Sequence, residues 1–582
     1  MKLAPVRFNQ TGEDSATLPI VRSRIVLGML ILALIVLAGR AIYLQAFNND
    51  FLQQQGELRH SRIVEQSVPR GSIRDRNGEI LAISVPVRSI WIDPQRINMT
   101  QAQLSSLSGL LGMPRAVIQE RANSNKKFVY LKRRLPPSLT TEIAQLGIKG
   151  LYFKPEYYRY YPTRELAAHI LGFTDIDDNG QEGLELAWQD SLASEHGKRR
   201  VIKDRLGRVV DNVERIHSPK PGQDLTLSID SKIQYLAYRE LSRAVNAHRA
   251  RAGSIVALDA QTGEILAMAN YPAFNPNQRA NINKDAMRNR VLVDEFEPGS
   301  TLKPFAVAVA LETGRIRPDT LMETSAGVLK IGKAAIRDVR SKGDLTVAQV
   351  IQRSSNVGVA RIAMLLPSQT LWEMFNRAGF GTETGLGFPG EVSGKLRDHR
   401  SWRPIEQVTM AYGHGISVNL MQLARAYTLF TAGGELKPIT LLKRDKPVVG
   451  QKIISRETAL AISNMLEMAV QPDGTGSRAR IHGYRTAGKT GTAHKRLENQ
   501  KGYAANRYLS SFVGYAPVSN PRVIIAVMID EPNAGEHYGG SVAAPVFSRV
   551  MEETLRMLEV PFDQPWPNLV TSPPAASERQ EG

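Results

Sequence analysis

Ile25 to Gly39 is an uninterrupted apolar run, and after Arg40 the segment Ala41 to Phe47 extends it. In lipid a single stretch of that length has one stable solution, a helix whose backbone groups satisfy one another. Arg22 and Arg24 precede it, Lys2 and Arg7 lie further upstream, and Arg40-Ala41-Ile42-Tyr43 makes a poor cleavage site. The run therefore predicts an uncleaved signal-anchor over residues 22–47, with a cytoplasmic tail over 1–21 and the remainder exported. A cleaved signal peptide and a buried helix of a soluble protein are the competing readings.

At 582 residues the chain needs two or three domains besides its tails. It has no cysteine, which excludes disulfides, thiolate zinc sites and cysteine nucleophiles together. The formal net charge of +18 raises the question of nucleic acid. Its lysines and arginines are spread along the chain, without a finger, a Walker loop or a stacked-aromatic motif, so no nucleic-acid partner is expected. A basic surface near anionic lipid or an anionic polymer accounts for the charge.

From Phe51 to about Lys220, short β-like runs alternate with helical ones. Ile63 to Val68, Ile80 to Val85 and Ser89 to Ile92 read as strands, with Asp75-Arg76-Asn77-Gly78 as a turn. Ala102 to Leu111 and Pro114 to Ala122 carry helical spacing, and Leu184 to Trp188 begins another helix. No catalytic constellation shows in this region. Ser218-Pro219-Lys220-Pro221-Gly222 marks a boundary. Beyond it, Asp224 to Ile229 is strand-like and Ser231 to Ala247 has an amphipathic helical period. Ser254 to Asp259 and Glu264 to Ala269 predict a hairpin, Leu509 to Tyr515 and Val523 to Ile529 further strands, and Pro545 to Leu558 a helix. Strands at both ends with helices between them predict a mixed sheet sandwiched by helices. The Pro-, Ala- and Ser-rich end beyond about Pro565 reads as disordered.

Three short motifs carry the chemistry. In Ser300-Thr301-Leu302-Lys303, after the turn residues Pro298 and Gly299, the i,i+3 spacing lets Lys303 reach the Ser300 hydroxyl. A serine needs a base to become a nucleophile, and lysine can be that base only if burial or a nearby cation lowers its pKa. The spacing is weak alone, since Ser124-Asn125-Lys126-Lys127 shares it. Ser354-Ser355-Asn356 offers a hydroxyl for proton relay and an amide for a peptide carbonyl or the lysine. Taken singly it reads equally as a helix cap, as Ser417-Val418-Asn419 does. Lys489-Thr490-Gly491-Thr492 combines a charge with directional donors suited to a carboxylate, and Gly491 removes a side chain where an extended substrate could lie along a strand edge.

In this order, S-x-x-K, S-x-N and K-T-G resemble the signature of penicillin-recognising serine acyltransferases. The chain further resembles the class B penicillin-binding proteins of the division-specific, FtsI-like type (penicillin-binding protein 3 type). That likeness rests on Arg70 to Gly78, His169 to Asp175, Gly180 to Glu185, Ala260 to Ala267, Gly387 to Glu391 and Tyr538-Gly539-Gly540. It implies an α+β chain with one transmembrane helix, an elongated mixed pedestal domain (48–220), a transpeptidase domain (221–563) and a tail (564–582).

The resemblance also implies a mechanism. Ser300 would attack the D-Ala-D-Ala carbonyl of a peptidoglycan stem peptide and Lys303 would take its proton. Ser354 would relay a proton to the leaving or attacking amine, while Asn356 would hold the donor peptide and orient Lys303. Lys489 would keep the field positive, Thr490 and Thr492 would bind the terminal carboxylate beside Gly491, and the backbone N–H groups of Ser300 and Thr492 would form the oxyanion hole. β-Lactams would acylate the same serine, and no cofactor or metal is implied. An FtsW-type glycosyltransferase and other divisome membrane proteins are the implied partners, and the implied location is the inner membrane with the catalytic domain in the periplasm. Elongation-type transpeptidases, β-lactam sensors and β-lactamases share the motif set. His414 and His537 depart from the residues common in relatives, and neither is given a role.

Overall fold

The computed structural model describes residues 20–47, 61–203, 209–278, 283–444, 446–496 and 502–564. The tails expected over 1–21 and 564–582 fall almost entirely outside these residues. The chain forms two compact units, Met1–Ser67 with His196–Lys220, and Val68–Glu195 with Pro221–Gly582.

The first unit holds the helix Ile20–Ile42, continued by a π-helical turn Tyr43–Phe47. Val21–Gln45 is long and apolar enough to cross a bilayer, and its large side chains are exposed from Val21 to Tyr43. This unit also contains an antiparallel sheet in which Gly197–Lys203 lies between Ser61–Gln66 and Val209–His217.

In the second unit, the two strands expected at Ile80 to Val85 and Ser89 to Ile92 are one 13-residue strand, Ile80–Ile92. Pro86, which cannot donate to a ladder, lies in the gap between the two expected strands. Here Leu151–Tyr160 pairs along one side of the strand, whereas the partners on the other side stop at Ala82 and resume at Arg88. A proline is tolerated where the ladder is one-sided. Helices Gln101–Leu111, Arg115–Ala122 and Pro137–Gln145 bury Leu104, Leu107, Leu111, Ile118 and Ile143 against Ile90, Ile92 and Leu131 of this sheet. Thr100 starts the first of these helices with a reciprocal capping box to Gln103.

The larger sheet runs in the order Ile265–Tyr271, Ala252–Asp259, Val523–Asp530, Tyr503–Ala516, Ala487–Arg496. Every pair in it is antiparallel, so the parallel pairing that makes the fold mixed lies elsewhere, between Ile73–Arg74 and Leu225–Thr226. The cause is connectivity: adjacent strands at both ends of the sheet are joined as hairpins, which need no crossover. Helices Ser231–Ala247 and Ala544–Met557 cover one face and Lys303–Glu312 with its neighbours the other, so Val523–Asp530 is buried along its whole length. Burial on both faces gives a continuous apolar run in place of alternation. The strand expected over Asp224 to Ile229 shrinks to Leu225–Thr226, because Leu227 and Ser228 turn to bond the segment around Leu441.

Candidate active site

The nucleophile candidate sits on a turn held from three sides. Gly299–Leu302 is a 3-10 turn that runs into the α-helix Lys303–Glu312, so Ser300 stands at the helix's positive end. Thr301 Oγ1 donates to Pro298 O at 2.7 Å, and the Tyr427 hydroxyl donates to Thr301 O at 2.9 Å. Gly413, at φ +82°, receives the Gly299 N–H on its carbonyl, and a side chain there would collide with the Gly299 backbone.

Lys303 is completely buried. Its amine lies within hydrogen-bond reach of Ser354 O at 2.7 Å, Asn356 Oδ1 at 2.8 Å and Ser354 Oγ at 3.2 Å. Among the described residues it makes no hydrogen bond to the Ser300 hydroxyl, the contact its spacing suggested. Desolvation, and then the Lys489 charge, push the Lys303 pKa well below the ordinary lysine range. Lys489, also without exposure, donates to Ser354 Oγ at 3.0 Å, so one hydroxyl bridges the two amines. Burial pushes Lys489 down to about 7, so near neutrality it holds its charge only in part until an anion arrives.

The Ser354 to Asn356 segment is both a cap and part of the site. Ser355 caps the helix Asn356–Met364 by accepting from Gly358 N at 2.9 Å. Ser354, just before it, adopts φ +57°, a left-handed conformation unusual for serine. That backbone turns its hydroxyl toward the two lysines. Asp338, which lies in none of the three motifs, secures this turn. Its carboxylate accepts from Ser355 Oγ at 2.6 Å, Val357 N at 3.1 Å and the Asn356 N–H.

Thr490 and Thr492, two apart on the edge strand Ala487–Arg496, both line the cleft with Ser300, Ser354 and Asn356. Lys489 and Gly491 alternate away from it, and Lys489 reaches the site through Ser354. Gly491 has a different reason from the one expected. A Cβ there would lie 2.3 Å from Ser511 Oγ and 2.9 Å from Pro298 O, so its small size admits the nucleophile turn against the strand. Placed on Gly299, a Cβ would lie 3.4 Å from Thr492 O and 3.8 Å from Thr492 N, so the nucleophile turn packs against the edge-strand backbone at Thr492. Glu297, three residues before Ser300, is buried and accepts from Gly415 N at 3.0 Å, Arg496 Nε at 2.8 Å and the Tyr503 hydroxyl at 3.0 Å. It joins the nucleophile turn to the hairpin of the edge strand. His414 lies 3.4 Å from Glu297 and burial lowers its pKa, while His537 stacks on Tyr508 at 3.9 Å between centroids. The whole cleft encloses about 730 Å³.

Residues 253–552 match the penicillin binding protein transpeptidase domain, and residues 65–227 match the penicillin-binding protein dimerisation domain. The chain belongs to the penicillin-binding protein family. Over 91% of both chains it is 41% identical to the probable peptidoglycan D,D-transpeptidase PenA of Neisseria meningitidis. It is 39% identical to the peptidoglycan D,D-transpeptidase FtsI of Escherichia coli, over 93% of this chain and 92% of that one. Among solved structures, the transpeptidase domain of Burkholderia pseudomallei penicillin-binding protein 3 is 46% identical, with a TM-score of 0.54, and covers 58% of this chain and 98% of that one. The segments that carried the family likeness in the sequence also meet in space. Arg70 Nε and Arg159 Nε each lie 2.6 Å from the buried carboxylate of Glu185. Asp75 accepts from Asn77 N, Glu79 N and Ser231 N, fixing its turn to the start of helix Ser231–Ala247.

Proposed function

We propose that this chain is a β-lactam-sensitive peptidoglycan D,D-transpeptidase of septal wall synthesis, working by a Ser300 acyl-enzyme. The observation that carries the reading is the fully buried Lys303 amine, its pKa depressed by that burial and by Lys489, with Ser354 Oγ between the two lysines.

Neutral Lys303 accepts the Ser300 proton as Ser300 Oγ attacks the carbonyl carbon of the penultimate D-alanine. The N–H groups of Ser300 and Thr492 take the oxyanion, each worth ~3 kcal/mol in comparable sites. As the intermediate collapses, the C–N bond breaks and the leaving D-alanine amine takes a proton from Lys303 through Ser354. The amine of a second stem peptide then attacks the ester and gives its proton to Lys303. The ester C–O bond breaks and Ser300 recovers its hydrogen, leaving one new peptide crosslink. Asn356 holds the donor amide and orients Lys303. Thr490 and Thr492 receive the terminal carboxylate, whose arrival also favours the charged form of Lys489.

Residues 48–220 serve as the pedestal and 221–563 as the transpeptidase domain. The anchor over 22–47 holds the chain in the inner membrane, with its catalytic domain in the periplasm. An FtsW-type glycosyltransferase and other divisome membrane proteins are its partners. The test is release of D-alanine from a stem pentapeptide with and without an added acceptor amine. Acceptor-dependent product that disappears in Ser300→Ala supports the reading, and product independent of both overturns it.

A further inference from the structure

Two basic residues in the cleft form no ion pair among the described residues. Lys342 and Arg353 both line it, and Lys342 Nζ donates to Arg353 O at 2.6 Å. Among the described residues neither forms an ion pair, and Arg353 Nε is buried without a partner. The other arginine of the lining, Arg478, is by contrast paired with Glu536 at 3.5 Å. Burial lowers the Lys342 pKa and Asp338, the acid of the same lining, raises it by its charge, but the Asp338 hydrogen bonds go to Ser355 and to the Asn356 and Val357 N–H groups. A buried guanidinium N–H without an acceptor is costly, and its planar fork fits a carboxylate.

We propose that Lys342 and Arg353 form a second anion subsite, taking a carboxylate on the acyl half of the bound donor, apart from the terminal carboxylate received by Thr490 and Thr492. The subsite rests on the acyl-enzyme reading above. Arg353 directly precedes Ser354, which places the two cations beside the proton relay and opposite the strand that carries Thr490 and Thr492. The field of Lys342 also reaches both buried lysines and depresses them.

The test compares benzylpenicillin with its α-carboxy derivative, which differs by one carboxylate on the acyl side chain. Acylation rate constants for both are measured by intact mass on the parent, Arg353→Gln and Lys342→Gln, at low and high salt. The quantity read is the ratio of the two constants, carboxylated over plain. The subsite predicts that this ratio falls about tenfold in Arg353→Gln, as expected for loss of one charged hydrogen bond. It also predicts a fall in Lys342→Gln and, in the parent, with added salt. A ratio unchanged across both variants overturns the subsite. If a variant does not fold, the parent decides, because a salt-independent ratio overturns it as well. A parent inert to both penicillins overturns the Ser300 reading itself, and the subsite with it.

Discussion

A lysine shut away from water has to give up either its burial or its charge, and Lys303 keeps its burial. Replacing it with methionine preserves the packing of the stem and removes the base. Acylation by a penicillin should then slow by ~10²–10⁴-fold, with little change in thermal stability. Lys489 sets the alkaline side of the pH dependence. The free enzyme's acylation rate constant should decline as pH rises through about 7, where that residue loses its charge, and Lys489→Arg should abolish this limb. A limb that survives the substitution assigns it to another group. The same depression bears on stability. Below about pH 7 the folded and unfolded chains both hold this proton, and the cost of the buried charge is fully present. Above it the folded chain releases the proton first, so stability rises with pH until the unfolded lysine titrates as well. At this scale the sequence was most legible: Ser300, Lys303, Ser354, Asn356, Lys489, Thr490 and Thr492 lie in short ordered motifs, and the fold brings all three motifs to one cleft. The detail that differed is the partner of Lys303. Spacing along the helix pointed to Ser300, whereas the amine turns to the Ser354 to Asn356 segment about fifty positions away.

Among the elements, the decisive contacts join segments far apart in sequence, which is why pattern reading passed over them. Asp338 lies 17 residues before Ser355, and nothing in its neighbours marks it as the anchor of that turn. Asp338→Asn should leave Ser354 less firmly held in its left-handed conformation. The expected result is a roughly tenfold slower acylation, because the relay is misplaced, and a further lowering of the Lys303 pKa, because the Asp338 charge that raises it is gone. Glu185 stands out in sequence only as part of a family-like segment, yet it is the hub for Arg70 and Arg159, all three without meaningful exposure. Glu185→Ala leaves two guanidinium groups buried and unpaired. It should cost about 3–5 kcal/mol in denaturant unfolding, while Ser300 in the folded fraction still acylates. A cost below about 1 kcal/mol would show that water takes over the role of the carboxylate. The elements with strong periodicity were read well: the helix Ser231–Ala247 and the hairpin of Ala252–Asp259 with Ile265–Tyr271 both stand where expected. The strands expected at Ile80 to Val85 and Ser89 to Ile92 are continuous because Pro86 between them meets a one-sided ladder, which its neighbours in sequence do not reveal.

For the whole molecule, the anchor and the cleft make separate demands. The helix Ile20–Ile42 exposes its apolar surface all round, as a lipid-facing span does. Leu32→Lys or Ile35→Lys places a charge in its middle and should release the protein from membranes in fractionation, while the soluble catalytic unit still binds penicillin. Membrane retention with either lysine would contradict the anchor. The central claim is the acyl-enzyme at Ser300, and the most direct test follows intact mass over time after adding benzylpenicillin to residues 48–582, beside Ser300→Ala. A long-lived adduct on the parent, mapped to the Ser300 peptide and absent from the mutant, is the predicted result. An adduct that vanishes within seconds would make the chain a β-lactamase, and a folded parent with no adduct would contradict the mechanism outright.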